Sequence, residues 1–386
     1  MKNMESTSTC FFNLDQKGEG FHLLNGSVLR GASIAYETYG TLNADTSNAI
    51  LVFHALSGSQ HAAGWNPEVQ EAGSLWTEEC RPGWWNDFIG EGKSLDTSEC
   101  FVICANYIGG CYGSTGPHSI NPDTGVPYGS KFPRIHLSDI VESQIRLIDH
   151  LGIQKLRAVV GASLGGILAQ ILATRYPEKV EIVIPIATGL SITPLQRLQN
   201  LEQIVAIETD PHFNGGDYYA GEAPEKGLTL ARIIGHKTYV SLEDLQERAR
   251  QEVVTRTDHL PWYNLHSSLE SYILHQGGKF VKRFDANTYL RIVDAWQSFD
   301  LLNETKFETY MDLFSQCKGQ KYLIFTIDSD VCFYPDEQAE LYQVLKVAGI
   351  EATRITVHSD KGHDSFLIEP YLYQPYLRNT LMLNGV

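Results

Sequence analysis

The 386-residue chain carries 30 Lys and Arg against 46 Asp and Glu, a formal charge of −16, with 43% apolar and 20% charged residues. It exceeds the ~100–200 residues of one ordinary domain, so a large domain, or one carrying a big insertion, is expected to bury a full core without disulfide or metal staples. This composition excludes a disordered chain, and the negative balance disfavours nucleic acid and anionic membranes as partners.

The first 14 residues contain no apolar run of the secretory type. The seven cysteines show no CxxC spacing, and reduced thiols in a cytoplasm are the economical reading. Residues 158–173 form the longest weakly polar run, shorter than the ~20 residues of a membrane span and interrupted by Ser163 and its glycines.

In chain order, residues 21–30 read as a hairpin turning at Asn25-Gly26. A buried strand over 49–53 runs into His54-Ala55-Leu56-Ser57-Gly58, and a second strand over 101–105 precedes a glycine-rich loop over 109–117. The apolar spacing predicts a helix over 139–151 that stops at Gly152. Next come a strand over 156–160, a tight turn over 161–165, a helix over 166–176 stopped by Pro177, and a strand over 181–187. Strands over 322–327 and 353–357 flank a helix over 336–347 with Gly349 beyond its end. Strands alternating with helices predict a mostly parallel sheet covered on both faces. Roughly 130 residues separate the strands at 187 and 322, far beyond a loop. They read as helices over 195–207, 228–234, 242–250, 269–284 and 286–299. The expected division is a core of residues 1–187 and 311–386 with a helical unit, 188–310, covering it.

Gly161-Ala162-Ser163-Leu164-Gly165 fits a G-x-S-x-G nucleophile elbow, in which a sharp strand-to-helix turn lifts the Ser163 hydroxyl above the sheet. The same turn aims the Leu164 N–H and the helix N-terminus at an oxyanion. A serine nucleophile needs a base and an orienting carboxylate, arriving in the order Ser, Asp or Glu, His in the loops after later strands. Asp330 and His363 are the expected partners, with Asp328 and His358 as rivals. The loop after the first buried strand is expected to supply the second oxyanion donor, the N–H of Leu56, while His54 reads as a structural hydrogen bonder. No His/Cys spacing suits zinc, and the 109–116 loop lacks a Walker ending and is expected to shape the pocket wall. Trp84-Trp85 and the preceding residues 71–81 read as a surface loop anchored by aromatics.

Seven blocks together resemble the homoserine O-acetyltransferase family: HALSG at 54–58, GGCYGSTGP at 109–117, PYGSKFP at 127–133, GASLGG at 161–166, GLTLARIIGHKTYVS at 227–241, FVKRFDANTY at 280–289 and GHDSFL at 362–367. The resemblance spans residues 28–367 and implies an α/β-hydrolase fold with a helical lid, commonly dimerising through that lid. It implies no permanently bound cofactor, with acetyl-CoA or another acyl-CoA as co-substrate that acylates Ser163 before an amino-acid hydroxyl takes the acyl group. His363 would serve both half-reactions, with Asp330 orienting it and Leu56 and Leu164 forming the oxyanion hole. The family's acceptor contacts fall on Arg232 for the carboxylate, Tyr239 beside it, and Asp364 for the ammonium. Acetyl transfer to L-homoserine in methionine biosynthesis is the expected activity. Its alternatives are a serine, succinyl-CoA or secondary-metabolite version of the same chemistry, a carboxylesterase or thioesterase, and a non-catalytic binding protein. The chain departs from the family pattern at Ala162 and Leu164, at Tyr112 where many members carry Lys, and in residues 68–81, which look inserted. The lid helix often reads Asn-Glu-x-x-Arg; here it is Asn200-Leu201-Glu202-Gln203-Ile204, a change expected to reshape the acyl or acceptor pocket.

Overall fold

A computed structural model describes residues 6–251, 260 and 262–381. The remaining residues, at both ends of the expected core and within the expected helical unit, lie outside the described part.

Ten strands are present among the described residues: β1 (Cys10–Asn13), β2 (Phe21–His22), β3 (Val28–Leu29), β4 (Ser33–Tyr39), β5 (Ala49–Phe53), β6 (Phe101–Ala105), β7 (Leu156–Ala162), β8 (Val180–Ile186), β9 (Lys321–Ile327) and β10 (Glu351–Val357). Eight of them form one sheet in the order β1-β4-β6-β5-β7-β8-β9-β10, parallel from β6 to β10, with β1 and β4 antiparallel at one edge. The Asn25-Gly26 hairpin forms as expected from β2 and β3, with Gly26 at φ 86° and its N–H donating to the Leu23 carbonyl at 2.9 Å.

The central strands read as unbroken apolar runs because both sheet faces are covered. Ala49, Leu51 and Phe53 of β5 face one core, while Ile50 and Val52 face the other. The helices are α1 (Leu137–His150), α2 (Leu164–Arg175), α3 (Pro194–Glu208), α4 (Glu225–Tyr239), α5 (Leu242–Gln251), α6 (Ser268–Val281), α7 (Ala286–Gln297), α8 (Leu301–Thr305), α9 (Tyr310–Ser315), α10 (Pro335–Val347), α11 (Ser365–Ile368) and α12 (Pro370–Leu381). α1, α2 and α10 contribute to the first core, and α12 closes the second through Tyr373, Leu377 and Leu381.

Residues 187–320 separate β8 from β9 and hold α3 to α9. The helix expected over 269–284 ends three residues early because Asp285 leaves helical geometry (φ −92°, ψ 134°) to cap α7, accepting from the Thr288 N–H at 2.8 Å. Residues 282–285 thereby become a corner, and Arg283 turns toward the sheet.

Chain order fixes the position of the site. From β5 the chain steps to β6 on one side, then returns to place β7 on the other side of β5. A parallel sheet opens a crevice where strand order reverses, beyond the carboxyl ends of its strands. Here that point lies between the loops that follow β5 and β7.

Candidate active site

Ser163 occupies the junction between β7 and α2 at φ 58°, ψ −126°, a left-handed conformation that an L-residue keeps only where its surroundings enforce it, at a cost of about 1–3 kcal/mol. The flanking glycines permit this turn. A Cβ on Gly161 would lie 2.0 Å from the Gly165 carbonyl oxygen, and one on Gly165 would lie 2.4 Å from that of Phe53. β7 and α2 can therefore meet, and α2 can press against the end of β5, only with hydrogen at both positions. The Ser163 N–H donates to the Ile186 carbonyl at 2.9 Å, tying the elbow to β8.

His363 sits in a one-turn 3-10 helix, Gly362–Asp364, after β10, and Asp330 lies in the loop after β9. His363 Nδ1 and Asp330 Oδ2 are 2.6 Å apart, both side chains buried. Asp330 Oδ1 accepts from the N–H groups of Cys332 and Phe333 at 2.8 and 2.9 Å, so the carboxylate is held on both oxygens. With Nδ1–H donating to Asp330, Nε2 carries the lone pair. It is buried and has no hydrogen-bond partner among the described residues. Burial favours the neutral ring, but the charge and hydrogen bond of Asp330, with Asp364 and Glu337 behind them, outweigh it and leave the imidazole above its ordinary 6.5. The rivals Asp328 and His358 pair with each other at 2.8 Å at the surface, where His358 is 82% exposed.

Leu56 lies in the loop after β5, brought beside the elbow by the pairing of Phe53 with Gly161. The Ala55 carbonyl, which shares a peptide plane with the Leu56 N–H, accepts from Gly58 N–H at 3.0 Å and from His54 Nδ1 at 2.7 Å. That plane is therefore fixed. His54 is buried, stacks on Tyr107 at 3.7 Å, and is driven down to about 4 by desolvation, so it remains neutral. It orients backbone.

A cavity of about 180 Å³ joins these parts, with Leu56, Ser163, Arg232, Tyr239, His363 and Asp364 in its wall. Leu164 is buried behind the elbow, and Asp330 behind His363. Arg232 projects from α4 with its guanidinium carbon 4.8 Å from the Phe280 ring centre and 5.4 Å from that of Tyr239. Asp364 is raised by burial, an effect opposed by His363, Arg232 and Arg248. The cavity thus brings an arginine and a carboxyl together beside Ser163 and His363.

Two expectations about the cavity wall are corrected. No residue of the 109–117 loop lines this cavity. Its glycines serve close packing, since a Cβ on Gly110 would meet Asn106 Oδ1 at 2.7 Å. Leu201 of α3 faces solvent at 49% exposure, so this helix does not reshape the pocket directly. Its buried Gln203 instead accepts from Tyr289 Oη and lies against Gly235, where Tyr239 Oη also packs.

Among the wall residues given no role in the sequence reading are Trp84, Arg283 and Trp296. Arg283 lay inside the block 280–289 and Trp84 inside an aromatic pair, so the available signal was a polar or aromatic residue within an otherwise recognisable motif. Trp84 donates from Nε1 to the Ser59 carbonyl at 2.9 Å, which makes it a strut of the loop after β5. Residues 71–81 are anchored as expected, by buried Trp76, whose Nε1 donates to the Asn66 carbonyl at 3.0 Å. Among the described residues, no cluster of three or more His, Cys, Asp or Glu could hold a metal ion, and no helix is long and apolar enough to cross a membrane.

Comparison with known proteins agrees with this geometry. Residues 49–370 match the family model of the alpha/beta hydrolase fold. The chain is 40% identical over 381 residues to a homoserine O-acetyltransferase of Methanohalobium evestigatum, covering 98% of this chain and 74% of that one. It is 40% identical to a homoserine O-succinyltransferase of Magnetococcus marinus, with 92% and 89% covered. Among solved structures, homoserine O-acetyltransferase from Bacillus anthracis superposes with a TM-score of 0.86 at 27% identity over 99% of both chains, and esterase E22 with 0.85 at 26% identity over 97% and 100%. An elbow serine, a buried Asp–His pair and this extent of shared sequence lead to one assignment: the chain belongs to the homoserine O-acetyltransferase family of the α/β-hydrolase fold.

Proposed function

We propose that this protein is a CoA-dependent O-acyltransferase that moves the acetyl group of acetyl-CoA to the hydroxyl of L-homoserine, through an acyl-Ser163 intermediate. One observation carries the reading: the cavity that contains Ser163 and the free Nε2 of His363 also contains Arg232 and Asp364, opposite charges suited to an amino-acid zwitterion. Hydrolysis needs the serine and its base but neither of those charges.

In this reading His363 Nε2 takes the Ser163 proton as Oγ attacks the thioester, and returns it to the departing CoA thiolate. The N–H groups of Leu56 and Leu164 hold the tetrahedral oxyanion. His363 then takes the proton of the homoserine hydroxyl, which attacks the acyl-serine, and Ser163 recovers that proton as O-acetyl-L-homoserine leaves. Arg232 grips the acceptor carboxylate with two parallel N–H bonds, Asp364 takes the ammonium, and Tyr239 supports Arg232. Acyl-CoA is a co-substrate, and no resident cofactor takes part.

We assign residues 188–310 the role of a lid on a core of 1–187 and 311–386. The lid favours transfer over hydrolysis by excluding water. A homodimer through the lid is supported by one exposed apolar stripe on α3, Leu195, Leu198, Leu201 and Val205, with exposed Leu230 on α4. A cytoplasmic location suits seven unpaired thiols.

Release of CoA thiol tests the activity, with acetyl-CoA or succinyl-CoA offered against homoserine, serine or no acceptor and products identified by mass. Acetyl-CoA turnover that requires homoserine and yields O-acetylhomoserine is expected. The likeness to esterase E22 favours a second reading, ester hydrolysis; thiol release indifferent to every amino acid would establish it in place of the first.

A further inference from the structure

Arg283 belongs to the corner between α6 and α7, inside the segment that separates β8 from β9, yet its guanidinium reaches the cavity of Ser163. Nη1 donates to the Ser57 carbonyl at 3.3 Å and to Tyr112 Oη at 2.9 Å, while Tyr112 Oη donates to the Arg283 carbonyl at 2.5 Å. Tyr112 is buried and closes a ring on the arginine's side chain and backbone. The Phe280 ring centre is 5.1 Å from the guanidinium carbon. Few orientations remain open to the group.

Desolvation opposes its charge, but Tyr112, Cys80 and Cys111 favour it and on balance hold the guanidinium above its ordinary value. Its guanidinium donates to a carbonyl and a phenol, which offset part of the lost hydration. Such a charge is useful where negative charge develops during a reaction. Ser57 follows Leu56, whose N–H is an oxyanion donor in the mechanism above. Neighbouring carbonyls of this loop are held by core side chains, Ala55 by His54 and Ser59 by Trp84. The Ser57 carbonyl is held from the inserted helices.

We propose that Arg283 is a positioning residue that locks the oxyanion loop from the inserted helical segment and sets a fixed positive charge beside the tetrahedral oxyanion. The oxyanion hole is then complete only when the corner between α6 and α7 is seated on the core. This rests on the reading of Ser163 as the acyl-accepting nucleophile.

The test compares Arg283→Gln, Arg283→Lys and Tyr112→Phe, each checked for an unchanged circular dichroism spectrum, on three donors: p-nitrophenyl acetate, acetyl-CoA and succinyl-CoA. Arg283→Gln is expected to lower kcat by roughly 10- to 100-fold on all three donors with KM little changed, and to weaken a boronic-acid transition-state analogue by the same factor. Arg283→Lys should recover part of the loss, and Tyr112→Phe, which frees the arginine without removing it, should lower kcat less. A rise in KM confined to homoserine or to succinyl-CoA would identify a carboxylate-binding site and overturn the proposal, as would an unchanged kcat. Since p-nitrophenyl acetate reports acylation of Ser163 without CoA or amino acid, failure of the homoserine reading would leave this result readable.

Discussion

At the scale of single residues, the site combines a strained serine, an imidazole whose charge is stabilised and a carboxyl whose charge is not. Ser163→Ala is expected to lower turnover roughly 10⁴-fold or more and to abolish the acyl-enzyme seen by intact mass after mixing with acetyl-CoA. The pH profile follows from the direction of the His363 shift. In the proposed mechanism His363 must be neutral, and its buried ring is raised above 6.5, so the acid limb of kcat/KM should have its midpoint above that value, measured between pH 5 and 9. The same shift has the opposite sense for stability. A raised folded-state value favours the folded protein fully below the unfolded imidazole value, and this contribution disappears as pH rises through the folded one. Activity therefore rises with pH while the His363 contribution to stability falls. Arg232→Ala should raise the homoserine KM roughly 10²-fold with a smaller change in kcat, a loss of about 2–3 kcal/mol of acceptor binding, read by steady-state kinetics.

At the scale of elements, the strand least visible in the sequence is the one with a carboxylate in the core. β4 reads Ser33–Tyr39, SIAYETY, and Glu37 within it is 1% exposed. Its oxygens accept from Thr9 Oγ1 at 2.8 Å, Asn66 Nδ2 at 2.8 Å and Tyr39 Oη at 2.9 Å, with His61 Nδ1 at 2.8 Å. Burial pushes this carboxyl up, and His61 and these donors more than reverse it, so Glu37 stays ionised. Its stabilising contribution is present above the unfolded carboxylate value and is lost as pH falls through the lowered one. His61→Ala should cost about 3 kcal/mol, seen as a drop in denaturant midpoint, because it removes one of the four partners that hold a buried charge. All but Tyr39 of those partners lie 24 to 29 residues away along the chain, which is why no local pattern announces β4. β5 to β9 are buried on both faces and carry their identity in continuous apolar runs, and the elbow carries its own in three closely spaced residues. Asp330 and His363 were legible because each follows a strand that could be read. Arg283 was not, since what places it is the cap that Asp285 makes on α7, a choice between helix and corner that spacing alone does not resolve. The elbow admits a sharp check: Gly165→Ala drives a methyl to 2.4 Å from the Phe53 carbonyl and should destabilise the fold by about 1–3 kcal/mol while cutting kcat.

For the whole molecule, the exposed stripe on α3 predicts the oligomer. Leu198→Glu should convert a dimer into a monomer in sedimentation equilibrium, and a wild-type chain that sediments as a monomer would remove the proposed interface. The sheet order has a different consequence for how the protein comes into being. Ser163 precedes the long helical segment and His363 follows it, two hundred residues further along. On the ribosome Ser163 therefore emerges long before His363, and the central strands β5 to β8 can pair around it while β9 and β10 are still unmade. A truncated chain ending before β9 would carry the elbow, the Leu56 loop and every helix from α3 to α9, yet neither Asp330 nor His363. Under the proposed mechanism, premature release during translation is expected to yield a fragment that turns over acyl-CoA far more slowly than the whole chain.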